Sequence, residues 1–211
     1  MNTYKETFAT WDKVAALYQD KFMDLSLYDD TYDAFCEQLT KPQPDILEIG
    51  CGPGNITRYI LRKRPDFAIY GIDIAPKMVE LAKKNNPTAQ FGVMDSRDID
   101  SLVRKFDAII CGFCLPYLSE LDAIKLIADF KNILADNGLV YLSFVAGKSQ
   151  QSGYQTGSSG DRTYFYYHDL EKIKTLFAAN NLVESGLFLK KYKKSDGSEE
   201  IHTIILAKKQ T

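Results

Sequence analysis

Apolar positions divide the chain into stretches of different period. Val14, Leu17, Tyr18 and Phe22 recur at helical spacing, as do Tyr32, Phe35, Cys36 and Leu39. This predicts a helical segment over 1–44, with a turn or break at MDLSLYDD. Lys41-Pro42-Gln43-Pro44 then stops the second helix, because proline cannot continue one.

From Asp45 onward short apolar runs alternate with helical ones. Strands are predicted over 45–49, 68–72, 89–92, 106–111 and 139–145. Helices are predicted over 55–64, from Pro76 through MVELAKKN, and over 121–134, the last closed by Asp136-Asn137-Gly138. Strand and helix in alternation predict a mostly parallel sheet covered on both faces. The rhythm breaks at 146–162, where GKSQQSGYQTGSSGDR is rich in Gly, Ser and Gln and almost free of apolar residues. Such a loop inside a compact domain is usually functional or disordered. A helix over 169–180 and two β-like runs over 186–192 and 201–207 complete the pattern, with a hairpin turn expected over 193–198.

No linker divides the chain, so 1–211 reads as one domain. Its parts are a helical cap (1–44), a core (45–145), a lid loop (146–168), and a C-terminal helix with a hairpin (169–211). The chain is 45% hydrophobic and 26% charged, with a net charge of -2. That is ordinary for a globular protein and gives no overall basic footprint for nucleic acid. No run approaches the ~20 apolar residues of a membrane helix. The N-terminus lacks the apolar run of a secretory signal, and the four cysteines do not resemble a disulfide framework. The expectation is a cytoplasmic protein with reduced thiols, bound to neither nucleic acid nor membrane.

The candidate chemistry begins at DILEIGCGPGNIT, residues 45–57. Three glycines follow a strand and precede a helix. Such a loop lets backbone approach a ligand closely and offers free N–H groups at the helix start. The dinucleotide fingerprint G-x-G-x-x-G/A fits Gly50 and Gly52 but meets Asn55 at its third position. Asp73, at the tip of the second strand and about twenty residues past the loop, is placed to accept both hydroxyls of a ribose. It also fits as a cap for the helix opened by Pro76. Asp95, after the third strand, reads either as a ligand contact or as a turn cap.

The G-x-G-x-G spacing, with Glu48 two residues ahead of it, resembles motif I of the class I S-adenosylmethionine-dependent methyltransferases. Gly71-Ile72-Asp73-Ile74, Gly92-Val93-Met94-Asp95-Ser96, the run 106–113, the run 133–139 and WDKVAALYQDKF resemble, in order, further stretches of that family. The resemblance implies a Rossmann-like α/β fold with a seven-stranded mostly parallel sheet, helices on both faces and the last strand antiparallel. It implies S-adenosylmethionine as cofactor, S-adenosylhomocysteine as product and a small organic methyl acceptor as partner. It places Glu48, Gly50, Cys51, Gly52 and Gly54 at the cofactor floor, and Asp73 and Ile74 at the ribose. Met78, Asp95 and Ser96 belong to the adenine end, Cys111 and Gly112 to the methionine part, and Tyr18 to the cover.

Direct displacement at a sulfonium carbon needs alignment, exclusion of water and, for some acceptors, removal of a proton. No base is fixed by the sequence. Tyr117 and His168 are the candidates, although the aromatic run before His168 also occurs in the family as sheet-edge packing. His202 reads as structural. No acid follows the fourth strand, which counts against a metal, and Cys114-Leu115-Pro116-Tyr117 lacks the polar residue expected for base N-methylation. Cys111 and Cys114 read as apolar packing. The 146–162 loop reads as a mobile lid over the acceptor, opposite the N-terminal helices, with Arg162 facing an anionic acceptor. The alternatives left open are a scaffold that binds the cofactor without turnover and an NAD-dependent oxidoreductase. The oligomeric state is not legible in the sequence.

Overall fold

The computed structural model describes residues 3–157, 159–194 and 197–210. The chain begins with α1 (Thr3–Lys13), α2 (Ala15–Phe22), a 3-10 turn at Ser26–Tyr28 and α3 (Asp29–Gln38). The core follows as β1 (Asp45–Ile49), α4 (Asn55–Lys63), β2 (Ala68–Asp73), α5 (Pro76–Asn85), β3 (Gln90–Val93), β4 (Phe106–Gly112), α6 (Glu120–Ile133) and β5 (Leu134–Val145). A hairpin of β6 (Gly153–Thr156) and β7 (Arg162–Phe165) precedes α7 (Leu170–Ala179), β8 (Leu182–Lys193) and β9 (Glu199–Lys209).

The main sheet has seven strands in the order β3-β2-β1-β4-β5-β9-β8. β1 to β5 pair in parallel, and β9 runs antiparallel between β5 and β8. The Rossmann-like sheet expected from the sequence is therefore present, last strand included. β1 sits in its middle and is buried from Ile46 to Ile49, as a strand covered on both faces must be. Its side chains alternate: Leu47 and Ile49 pack with Ile109, Leu126 and Phe130 on one face, and Ile46 packs with Phe35, Ile60 and Tyr141 on the other.

Helix starts follow local chemistry. Ser119 Oγ accepts the N–H of Asp122 at the start of α6, and Asp169 Oδ1 accepts that of Lys172 at α7. The strand order reverses at β1, so the carboxyl ends of β1 and β4 open the crevice where such sheets bind ligands.

Three expectations need correction. The helical segment before MDLSLYDD is two helices, α1 and α2, with a break at Val14. The segment 146–162 is not a structureless loop: it holds a 3-10 turn at Ser149–Gln151, β6 and the start of β7. Nor does it lie opposite the N-terminal helices. Tyr164 N–H donates to Thr7 Oγ1 at 2.9 Å, and Thr10 Oγ1 donates to the Arg162 carbonyl at 2.9 Å, so α1 supplies the partners that order the hairpin. The turn expected over 193–198 includes Ser195 and Asp196, which lie outside the described residues. Among the described residues no helix is long and apolar enough to cross a membrane.

Candidate active site

The glycine loop leaves β1 along a path that needs its glycines. Gly50, Gly52 and Gly54 have φ of 69°, 52° and 79°, in the left-handed region. A Cβ on Gly50 would stand 2.9 Å from Cys114 Cβ, and one on Gly54 would stand 2.3 Å from Asn86 Nδ2. Gly50 and Cys51 N–H both donate to the Ile72 carbonyl, at 2.8 and 2.9 Å, which folds the loop over the end of β2.

Asp73 closes the same arrangement. Its Oδ2 accepts Gly52 N–H and its Oδ1 accepts Ala75 N–H, each at 2.9 Å. Burial pushes its pKa up, against the backbone hydrogen bonds from Ala75 and Gly52 that favour the anion. Beyond it lies Asp95, whose carboxylate holds the Arg97 guanidinium through Nε at 3.0 Å and accepts Arg97 N–H at 2.9 Å. The Arg97 guanidinium lies over the Tyr4 ring at 4.2 Å, so the acid loop is fastened to α1.

These groups line a cleft at the carboxyl ends of β1 and β4. Of the residues expected there, Tyr18, Gly50, Gly52, Asp73, Ile74, Met78, Asp95, Ser96 and Gly112 line it. Tyr117, a candidate base, lines it too. Glu48, Cys51, Gly54 and Cys111 do not. Glu48 lies beneath the loop, with Oε2 accepting from Thr57 Oγ1 and Oε1 buried without a partner. Its burial pushes the pKa up to about 8. Cys51 packs with Val79, Ala82 and Phe91. Gly54 lets α4 approach Asn86, whose Nδ2 donates to the Gly54 carbonyl at 3.0 Å. Cys111 is fully buried in the core.

A second cleft opens beside the first. Trp11, Tyr18, Gly50, Gly52, Gly112, Phe113 and Tyr117 line both. Trp11 packs edge-on against Tyr18 and Tyr117, with centroids at 5.6 and 5.1 Å, and its buried indole N–H has no partner. The far wall carries Tyr28, Tyr192, Glu200 and His202. Gln155, Thr156 and Gly157 of the hairpin region contribute as well.

Two histidines thus fall in unexpected places. His168 Nε2 lies 3.0 Å from the Leu115 carbonyl and the residue lines a different pocket, beside α6 and α7. Burial pushes its pKa down. His202 lines the second cleft. Arg162 does not face the clefts as expected; its guanidinium pairs with Glu6 on α1. Phe8, Trp11, Met94, Cys114 and Leu118 line the first cleft without having been singled out as ligand contacts. WDKVAALYQDKF gave the one available signal for Trp11; the others come together only through packing.

Comparison with known proteins agrees with this fold. Residues 46–138 match the family model described as a methyltransferase domain. A malonyl-[acyl-carrier protein] O-methyltransferase of Acetivibrio thermocellus is 32% identical over 50% of this chain and 39% of that protein. A tRNA N(3)-methylcytidine methyltransferase of Schizosaccharomyces pombe is 26% identical over 74% of this chain and 66% of that protein. The chain spans between 29% and 66% of the length of such curated relatives. In fold it resembles an S-adenosylmethionine-dependent methyltransferase from Clostridium acetobutylicum, with a TM-score of 0.71 at 16% identity over 96% of this chain and 100% of that one. Residues 46–138 thus match a methyltransferase domain, and the chain shares the fold of S-adenosylmethionine-dependent methyltransferases.

Proposed function

We propose that the protein transfers a methyl group from S-adenosylmethionine to a small organic acceptor. The observation that carries this reading is the pair of clefts that meet at Gly50, Gly112, Phe113 and Tyr117. One has the acids and glycines suited to an adenosyl amino acid, and the other has aromatic walls suited to an organic acceptor. An elongated cofactor in the first would present its reactive end to the second.

The residues present fit that cofactor. Asp73 keeps unused lone pairs on both carboxylate oxygens for ribose hydroxyls, and Asp95 and Ser96 stand further along the cleft. The left-handed turns at Gly50 and Gly52 leave backbone exposed to the ligand. Trp11 offers an unpaired N–H where the clefts join. Bound there, S-adenosylmethionine supplies a methyl group already activated by a sulfonium. The chain binds and orients it, excludes water with Trp11, Tyr18, Phe113 and Tyr117, and favours the positive sulfonium through their ring faces.

The second cleft, with walls from α2 and the β6–β7 region, supports a small molecule over a folded RNA as acceptor. The first experiment is calorimetry with S-adenosylmethionine, S-adenosylhomocysteine and NAD. Micromolar binding of S-adenosylmethionine and S-adenosylhomocysteine is expected. Binding of NAD alone would make the protein an oxidoreductase, and S-adenosylmethionine binding without turnover on any acceptor would make it a scaffold.

A further inference from the structure

We propose that Tyr28, His202 and Glu200 form a proton relay that ionises the hydroxyl of a planar aromatic acceptor in the second cleft. The proposal deepens the methyltransferase reading and rests on it.

The first observation is an inverted strand. On an antiparallel strand with one face turned inward, apolar side chains go in and polar ones out. At the start of β9 the order is reversed: Ile201 is 42% exposed, while the side chains of Glu200 and His202 are 14% and 10% exposed and line the cleft. Polar groups buried in place of isoleucine need partners to offset their desolvation.

The second is how tightly the imidazole is held. Tyr28 Oη lies 2.6 Å from His202 Nδ1. Tyr192 stacks on the ring at 4.8 Å and 16°, and Phe113 leans on it at 4.8 Å. Glu200 Oε2 is 4.0 Å from Nε2 and is itself held by Lys194 Nζ at 2.9 Å. The relay uses the tautomer with the proton on Nε2, on the side of that carboxylate, in which Nδ1 accepts from the Tyr28 hydroxyl. Lys190 is the register partner of His202 on β8, and its ammonium is drawn to Asp30. Val145 faces His202 from β5, and Lys21 stands on the cleft wall.

The third is strain. Phe113 has φ of 53°, a left-handed backbone that a bulky residue rarely adopts outside functional sites. Its N–H is fixed by Ser143 Oγ at 2.9 Å, and its ring lies 5.3 Å from Tyr28. Phe113 also lines both clefts, so one strained ring connects the relay to their junction.

The chemistry follows. The acceptor hydroxyl gives its proton to Tyr28 Oη while the proton of Tyr28 moves to His202 Nδ1. Glu200 is the positioning residue that stabilises the resulting imidazolium. The ionised oxygen forms a bond to the methyl carbon, the carbon–sulfur bond breaks, and its electron pair stays on sulfur. The products are an aryl methyl ether, the thioether and a proton that His202 returns to solvent. Imidazole can ionise a phenol, whereas an aliphatic alcohol is far too weak an acid. Flat walls from Tyr32, Phe165 and Tyr192 suit a planar ring, and Lys21 favours a developing oxyanion over a cationic amine.

The test uses 4-nitrophenol, whose absorbance reports its ionisation. It is titrated below its own pKa into the protein with and without S-adenosylhomocysteine, whose binding is measured separately by calorimetry. Wild type should hold the phenol as phenolate, its apparent pKa lowered by about one unit or more. Tyr28→Phe and His202→Gln should bind it within about threefold of wild type but as the neutral phenol, with S-adenosylhomocysteine affinity retained at temperatures where the variants stay folded. Glu200→Gln should fall between, and it serves as the second reading if either other variant fails to fold. A wild type that binds the phenol un-ionised, or takes up none, overturns the relay. So does His202→Gln with the phenolate band intact, which would assign the ionisation to the lysines. Ionised nitrophenol with no S-adenosylhomocysteine binding would sink the cofactor reading and leave the relay standing.

Discussion

Gly52 N–H donates to Asp73 Oδ2 at 2.9 Å, joining the glycine loop to the tip of β2 across 21 residues of chain. The acid that faces the cleft therefore also shapes the loop opposite it. Removing it takes away a ligand contact and leaves two backbone N–H groups, of Gly52 and Ala75, without their partner. Asp73→Ala is expected to weaken S-adenosylhomocysteine binding by about 10- to 100-fold, the loss of one or two charge-assisted hydrogen bonds. It should also lower the melting temperature. Calorimetry and thermal unfolding on the same sample check both, and unchanged affinity would remove Asp73 from the site.

Gly50 and Gly54 separate loop shape from ligand contact. Both have positive φ, but only Gly50 lines the cleft. Gly54→Ala sets a Cβ against Asn86 and strains the backbone, for a loss of about 1–3 kcal/mol in stability. At temperatures where it stays folded, its affinity for S-adenosylhomocysteine should lie within a few-fold of wild type. Gly50→Ala, driven against Cys114, should lose both stability and binding. Equal losses of affinity in the two variants would return Gly54 to the ligand.

What the sequence made legible, and what it hid, follows from where the partners lie. The loop 50–54 and Asp73 could be read because glycine spacing and a strand-end acid are local signals with a chemical meaning. Trp11 and Tyr28 sit on helical segments, where an aromatic residue looks the same whether it packs a core or lines a cleft. His202 was hidden in a strand pattern, and only the exposure of Ile201 beside it marks that face as more than packing. The β6–β7 hairpin was hidden most completely: its composition reads as loop, and the groups that order it lie on α1, 157 residues away for Thr7 and Tyr164.

That last contact gives a prediction about the cap. Thr7 is buried and its hydroxyl accepts the Tyr164 N–H. Thr7→Val keeps the shape and leaves the N–H unpaired, at about 1–3 kcal/mol. Limited proteolysis within 153–165 should then run several-fold faster than in wild type. S-adenosylhomocysteine should slow cutting in both, because Phe8 and Trp11 on the same helix line the cleft it would fill. Cutting indifferent to the ligand would argue that cap and hairpin do not close over the site.

Glu48 gives stability a pH dependence whose sign can be worked out. Burial raises its folded pKa from 4.5 to about 8, and the nearby Asp73 charge adds to the rise. Between those values the folded chain holds a proton that the unfolded chain has released, so stability falls as pH rises through the window. Each pH unit costs at most about 1.4 kcal/mol, so the full loss is on the order of a few kcal/mol. His168 acts with the opposite sign, since burial lowers its pKa below 6.5 and stability is lost there as pH falls. From pH 6.5 to about 8 the Glu48 effect should therefore stand nearly alone. The melting temperature of wild type should fall across that range, and Glu48→Gln, which mimics the protonated acid, should flatten the slope. A melting temperature that climbs across the range, or one that falls equally in the variant, would mean that Glu48 is ionised beneath the glycine loop.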